Sequence, residues 1–196
     1  MRISGGKWRG RNLRVPSGEA VRPTQDRVRE ALFSMLQFEL ADAKVLDLFA
    51  GSGSVGLEAL SRGASHATFV ELALRPLACL QANIAQVQAE ACTSVIRGDV
   101  YAWLGTATVA EGQGFDVAYA DPPYELGAAQ GYSRMLTLLA ERNIVKPQGL
   151  FIAEMKSHQT PDESPPWDLC RDRVYGQTRI AIYRRKSAPS TPENGK

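Results

Sequence analysis

The chain alternates between short apolar runs and stretches with helical spacing. Val45, Leu46 and Leu48 predict a strand over about Lys44–Phe49, buried on both faces. Gly51 and Gly53 follow, and Val55, Leu57 and Leu60 then switch to the spacing of a helix over about Val55–Arg62. The unit recurs down the chain. A strand at about Ala67–Glu71 precedes a helix at about Arg75–Gln88, and one at about Thr93–Arg97 precedes a short helix near Val100–Leu104. Phe115–Ala120 reads as a strand before a helix at about Gly131–Arg142, and a further strand covers about Gly149–Met155. A polar, proline-rich loop spans Ser157–Pro166, after which Val174–Gly176 and Arg179–Arg184 read as a closing hairpin or meander. Upstream, Val28, Leu32, Met35 and Leu36 form the apolar stripe of a helix with Thr24 as N-cap and Asp26 in its first turn. Arg27 and Arg29 fall off that stripe. Alternating β and α elements predict an α/β fold, a mostly parallel sheet with helices on both faces. The expected organisation is a basic arm or hairpin over residues 1–20, with short strands near Arg2–Ser4 and Asn12–Val15. A catalytic domain over 21–185 and a disordered tail over 186–196 complete it.

Composition narrows the class. A length of 196 residues suits one domain with a large core. No apolar run approaches the ~18 residues of a membrane span, and the first residues lack a signal-peptide segment, so a cytoplasmic location is expected. Cys79, Cys92 and Cys170 are widely spaced and His66 and His158 are isolated, so no metal or disulfide is expected. The net charge of +2 is unevenly placed: residues 1–30 carry +5, 31–170 carry −8 and 171–196 carry +5. Basic ends around an acidic middle suggest a surface for a polyanion. Arg9 and Arg11 beside Trp8 would suit phosphate contact and base stacking, or Trp8 would anchor the arm to the domain.

Two motifs carry chemistry. Gly51-Ser-Gly-Ser-Val-Gly56 is a G-x-G-x-x-G turn between strand and helix, where bare backbone lets a ligand approach. Glu71 ends the next strand, placed to accept from ribose hydroxyls, and Asp99 ends the one after, placed to take an adenine amine. Asp47, inside the first strand, is a costly buried carboxylate unless it meets a cation. An ammonium and sulfonium ligand such as S-adenosylmethionine suits it, whereas a pyrophosphate would be repelled. Asp121-Pro-Pro-Tyr124 follows an apolar strand and so sits at the carboxyl edge of the sheet. The Asp121 carboxylate and the Pro122 carbonyl could hold both N–H bonds of an exocyclic amine, and Tyr124 offers a face for the base. Catalysis would rest on positioning and electrostatics, with the base flipped out of its stack.

On these residues the chain resembles the RsmD family of class I S-adenosylmethionine-dependent methyltransferases, which modify a guanine N2 in 16S rRNA. The resemblance runs from about Arg2 to Arg184. It rests on Gly5-Gly-Lys-Trp-Arg-Gly-Arg11, Arg22-Pro-Thr-Gln-Asp-Arg-Val-Arg-Glu30, Leu46-Asp-Leu-Phe-Ala-Gly-Ser-Gly53, Asp121-Pro-Pro-Tyr124 and Val174-Tyr-Gly-Gln-Thr178. It implies a seven-stranded Rossmann-like sheet with an antiparallel last strand. It implies cofactor contacts at Asp47, Phe49, Ala50, Gly51, Ser52, Gly53, Glu71, Asp99 and Val100. The amine would be handled by Asp121, Pro122, Pro123 and Tyr124, with Arg9, Arg11, Arg22, Thr24 and Arg27 on the substrate side. The implied partner is 16S rRNA or a partly assembled small ribosomal subunit, met by a monomer without metal or membrane. Ala73 stands where relatives often carry a second acid. The alternatives are adenine-N6 methylation of DNA, an NAD(P)-dependent oxidoreductase, and a non-catalytic RNA-binding protein.

Overall fold

The computed structural model describes residues 1–16, 23–110, 112–123 and 132–187, with the side chains of Pro23–Gln25 left aside. Helix α1 (Pro23–Met35) comes first. β1 (Lys44–Leu48), α2 (Ser54–Ser61), β2 (His66–Glu71) and α3 (Leu74–Val87) follow. After a short 3-10 turn come β3 (Thr93–Arg97), α4 (Val100–Thr106), β4 (Phe115–Ala120) and α5 (Ser133–Glu141). β5 (Val145–Lys156), β6 (Trp167–Tyr175) and β7 (Thr178–Arg185) close the chain.

The seven strands form one sheet in the order β3-β2-β1-β4-β5-β7-β6. The pairs among β1 to β5 are parallel, and β7 runs antiparallel to both of its neighbours. Strand order reverses between β1 and β4, the place where open α/β sheets leave a crevice for ligands. Period-two alternation divides the core. Val45, Phe69, Val117, Ile152 and Ile180 face α1, α2 and α3, whereas Leu46, Val70, Ala118, Phe151 and Ala181 face α4 and α5. Among the described residues no helix is long and apolar enough to cross a membrane.

Several boundaries differ from the sequence reading. Helix α1 starts at Pro23, so Thr24 lies inside its first turn rather than at the cap. Proline at the first helical position needs no hydrogen-bond partner for its nitrogen. β5 begins at Val145, earlier than its apolar run: Lys146 is half-buried and Pro147 and Gln148 are exposed, at a register shift opposite Phe115–Val117. β6 begins at Trp167, although only Val174 onward carried a strand signal. As an edge strand it leaves most of its residues exposed, which erases the apolar alternation. The arm forms a single bridge, Arg2 to Asn12, not two strands. The tail is held further than expected: Lys186 donates its backbone N–H to the Pro166 carbonyl and pairs with Asp168 at 3.2 Å. Residues 188–196 lie outside the described residues.

Candidate active site

The register brings both motifs to one edge. Leu48 lies opposite Ala120 and Ala120 opposite Ala153, so β1 and β4 end together while β5 runs on beside them to Lys156. Asp47, Glu71, Tyr119, Asp121 and Glu154 share parity with the core residues that face α1–α3. Five polar side chains therefore crowd one face of the carboxyl edge.

The glycine turn is built from inside. Ala50 donates its N–H to the Val70 carbonyl at 3.1 Å, and Gly53 donates to the Ala50 carbonyl at 2.8 Å. Phe49 adopts φ 59°, held by an edge-on contact with Tyr101 at 6.3 Å between ring centres. The glycines do different jobs. Gly51 has φ 56°, and a Cβ there would meet nothing within 4 Å, so it presents bare backbone to the crevice. Gly53, at φ 81°, would place a Cβ 2.3 Å from Leu80 Cδ1, and Gly56 one 2.3 Å from Phe69 Cε1. At those two positions the protein's own packing already requires glycine, whereas at Gly51 it does not.

Carboxylates complete the turn. Asp47 is 1% exposed, and its Oδ2 accepts the Gly56 N–H at 2.9 Å. Burial, and after it the nearby Glu71 charge, push its carboxyl up to about 8 against the pull of the Gly56 N–H. Glu71 is buried and bridges the loops: Oε2 accepts from Gly51 N at 2.8 Å and Oε1 from Ala73 N at 2.6 Å. Ala73, the departure noted in the sequence, thus contributes its backbone. Asp99 is exposed and caps α4, accepting the Ala102 N–H at 2.8 Å. The acid thus caps a helix while standing at the rim of the crevice. Val100 is buried below it.

Asp121 follows β4 directly, with Pro122 buried and Pro123 exposed. Crowding by protein, then the charges of Glu154 and Asp47, push the Asp121 carboxyl well above the usual range. Its side chain keeps solvent access, which softens the effect of burial and leaves the two carboxylates as the persistent cause. A pocket beside it is lined by Arg29, Leu32, Val55, Tyr119 and Glu154. Tyr124 and Arg22 lie outside the described residues, as does the side chain of Thr24.

The arm is bolted to the domain. Ser4 donates to buried Glu58 from its N–H at 2.8 Å and from its hydroxyl at 2.7 Å, and Arg62 Nε donates to Glu58 at 2.8 Å. Asn83 accepts the Arg14 N–H at 2.7 Å and donates to the carbonyls of Arg14 and Ser52, both at 2.9 Å, tying the arm to the glycine turn. Trp8 packs partly buried against the core with Lys7 Nζ 4.2 Å from its ring centre, so the anchoring role is the one seen. Arg9, Arg11 and Arg27 are exposed. Arg29 is a correction: it is 6% exposed, donates to the Arg2 carbonyl at 2.7 Å and to Asp26 at 2.9 Å, and lies 3.6 Å from Glu58. Helical spacing alone put it with the surface cations. The roles of Glu58 and Asn83 had no sequence signal either, since isolated polar residues in helices read as exposed.

A seven-stranded sheet with one reversed strand, a glycine turn after β1 and an acid ending β2 define a Rossmann-like methyltransferase. The family model described as Conserved hypothetical protein 95 matches residues 1–184. Ribosomal RNA small subunit methyltransferase D of Escherichia coli (strain K12) is 35% identical over 188 residues, covering 95% of this chain and 91% of that one. Its namesake from Haemophilus influenzae is 35% identical over 187 residues, covering 94% and 93%. The solved structure of yhhF from Escherichia coli superposes with a TM-score of 0.83 at 35% identity, covering 96% of this chain and 99% of that one. The chain belongs to the RsmD family of methyltransferases.

Proposed function

We propose that this protein methylates the exocyclic N2 amine of a guanine in 16S ribosomal RNA, using S-adenosylmethionine. The observation that carries the reading is the meeting of Asp121-Pro122 with the Gly51 turn at one sheet edge, through the Leu48–Ala120 register. The relatives named for small-subunit rRNA methylation support the substrate class. The residues fit the cofactor. Asp47 is a buried carboxylate to which no lysine or arginine pairs among the described residues, a seat for a cation. Gly51 leaves open space, and Glu71 and Asp99 stand at the ends of β2 and β3 for ribose and adenine. When bound, S-adenosylmethionine supplies an electrophilic methyl carbon on a cationic sulfur.

The chain's own work is positioning. An aromatic amine is a weak nucleophile because its lone pair is delocalised into the ring. Asp121 and the Pro122 carbonyl accept its two N–H bonds, which directs the lone pair and supports the positive charge that develops on nitrogen. Tyr124 stacks the flipped base. Exposed Arg9 and Arg11 contact RNA phosphates, with Arg22, Thr24 and Arg27 at the border of the site. The test separates binding from turnover. Asp121→Ala abolishes methyl transfer while keeping cofactor affinity within a few-fold, and near-normal turnover removes Asp121 from the mechanism.

A further inference from the structure

The proposed reaction leaves a proton to be placed. As the amine lone pair forms the N–CH3 bond, the C–S bond breaks and its electron pair goes to sulfur. Nitrogen then carries a positive charge and sheds one N–H proton, whose bonding pair returns to nitrogen. Asp121 accepts that proton, but it does so in an unusual setting. Continuing the β4–β5 register one residue past Ala120–Ala153 puts Asp121 opposite Glu154 on the same face. Adjacent strands lie ~4.8 Å apart, so the two carboxyls are neighbours. Both line the same pocket.

We propose that Glu154 is a positioning residue for the reaction: it shares one proton with Asp121 and takes that proton when an amine arrives, so that Asp121 meets the amine as a carboxylate. This rests on the reading that Asp121 holds the amine. The surroundings of Glu154 suit a group that can hold or release charge. From β4, the Tyr119 hydroxyl donates to Oε2 at 2.5 Å. From the start of α5, the Tyr132 hydroxyl donates to the Glu154 carbonyl and fixes the strand there. From α1, Arg29 lines the pocket but is committed to Arg2, Asp26 and Glu58, so it supplies field rather than a direct bond. From β1, Asp47 adds negative charge near Asp121. Burial raises Glu154, while the Tyr119 bond and Arg29 oppose that rise. Two carboxyls crowded in this way titrate as a pair and hold a proton between them to higher pH than an isolated carboxyl would.

The experiment follows the Asp121 side-chain carboxyl by carbon NMR across pH in the ligand-free protein, in the parent, in Glu154→Gln and in Tyr119→Phe. Glu154→Gln removes the competing charge and keeps the Tyr119 acceptor. Tyr119→Phe makes Glu154 the better proton holder. Both variants should lower the Asp121 midpoint by about one unit or more. The acid limb of the kcat profile should move to lower pH by the same amount. An Asp121 midpoint that neither variant moves overturns the pairing, whatever the activity. Lack of methyl transfer by the parent overturns the reading of function instead, so the two failures are distinguishable.

Discussion

Asp47→Asn should move stability and cofactor affinity in opposite directions. The asparagine carbonyl can still accept the Gly56 N–H, so the bond that sets the start of α2 survives and only the charge is removed. In the ligand-free protein the Asp47 carboxyl rises from 3.8 to about 8 because it is buried. A raised folded value means that the folded state holds the proton more tightly than the unfolded chain. The resulting stability is complete below pH 3.8 and is lost as pH rises to about 8. At ~1.4 kcal/mol per unit, the parent should lose roughly 3–4 kcal/mol relative to the variant between pH 5 and pH 8. Cofactor binding goes the other way. Losing a charge-assisted bond to the ligand ammonium should cost ~1.5–3 kcal/mol, or about 10- to 100-fold in Kd. In the parent, affinity should rise with pH towards about 8, with release of up to one proton, because a cation binds the ionised form. Urea unfolding at the two pH values and calorimetric titration with S-adenosylhomocysteine measure both effects. The reasoning fails if Asp47→Asn binds that ligand as tightly as the parent, or if its stability falls with pH in parallel with the parent.

Other substitutions separate ligand contact from packing. Glu71→Gln should weaken cofactor binding by ~1–3 kcal/mol, and an unchanged dissociation constant would sink the ribose assignment. Gly53→Ala, driven against Leu80 at 2.3 Å, should destabilise the fold by ~1–3 kcal/mol. Gly51→Ala meets no atom within 4 Å, so thermal unfolding should register only the strain of φ 56°, ~1 kcal/mol, while cofactor titration shows the larger loss. Glu58→Ala leaves Arg29 and Arg62 without their shared carboxylate and should cost ~3–5 kcal/mol in urea unfolding. Replacing Arg9 and Arg11 by alanine should flatten the salt dependence of RNA binding by a slope of about 2, with cofactor affinity unchanged.

Most of the sheet's parallel half was legible because β1, β2 and β4 are largely buried and read as apolar runs. Thr93–Arg97 and Phe115–Ala120 match the observed strands residue for residue. Legibility faded towards the β6 side of the sheet. β6 exposes most of its residues and β5 opens as Val145-Lys-Pro-Gln, so neither start shows as an apolar run. The site followed the same rule. Asp47, Glu71 and Asp121 were readable because strand ends and a glycine turn fix where they stand. Arg29, Glu58, Asn83 and Glu154 were not, because each owes its role to partners distant in sequence, and the proximity of Glu154 to Asp121 exists only through the β4–β5 register. The basic arm was visible as charge, whereas its fastening to α2 and α3 was not.

The most direct measurement is methyl transfer from labelled S-adenosylmethionine to small ribosomal subunits and to free 16S rRNA, both from cells lacking their own enzyme, with the product nucleoside identified. N2-methylguanosine in either substrate is the expected product. Label absent from both RNAs, or found as N6-methyladenine in DNA, would contradict the account.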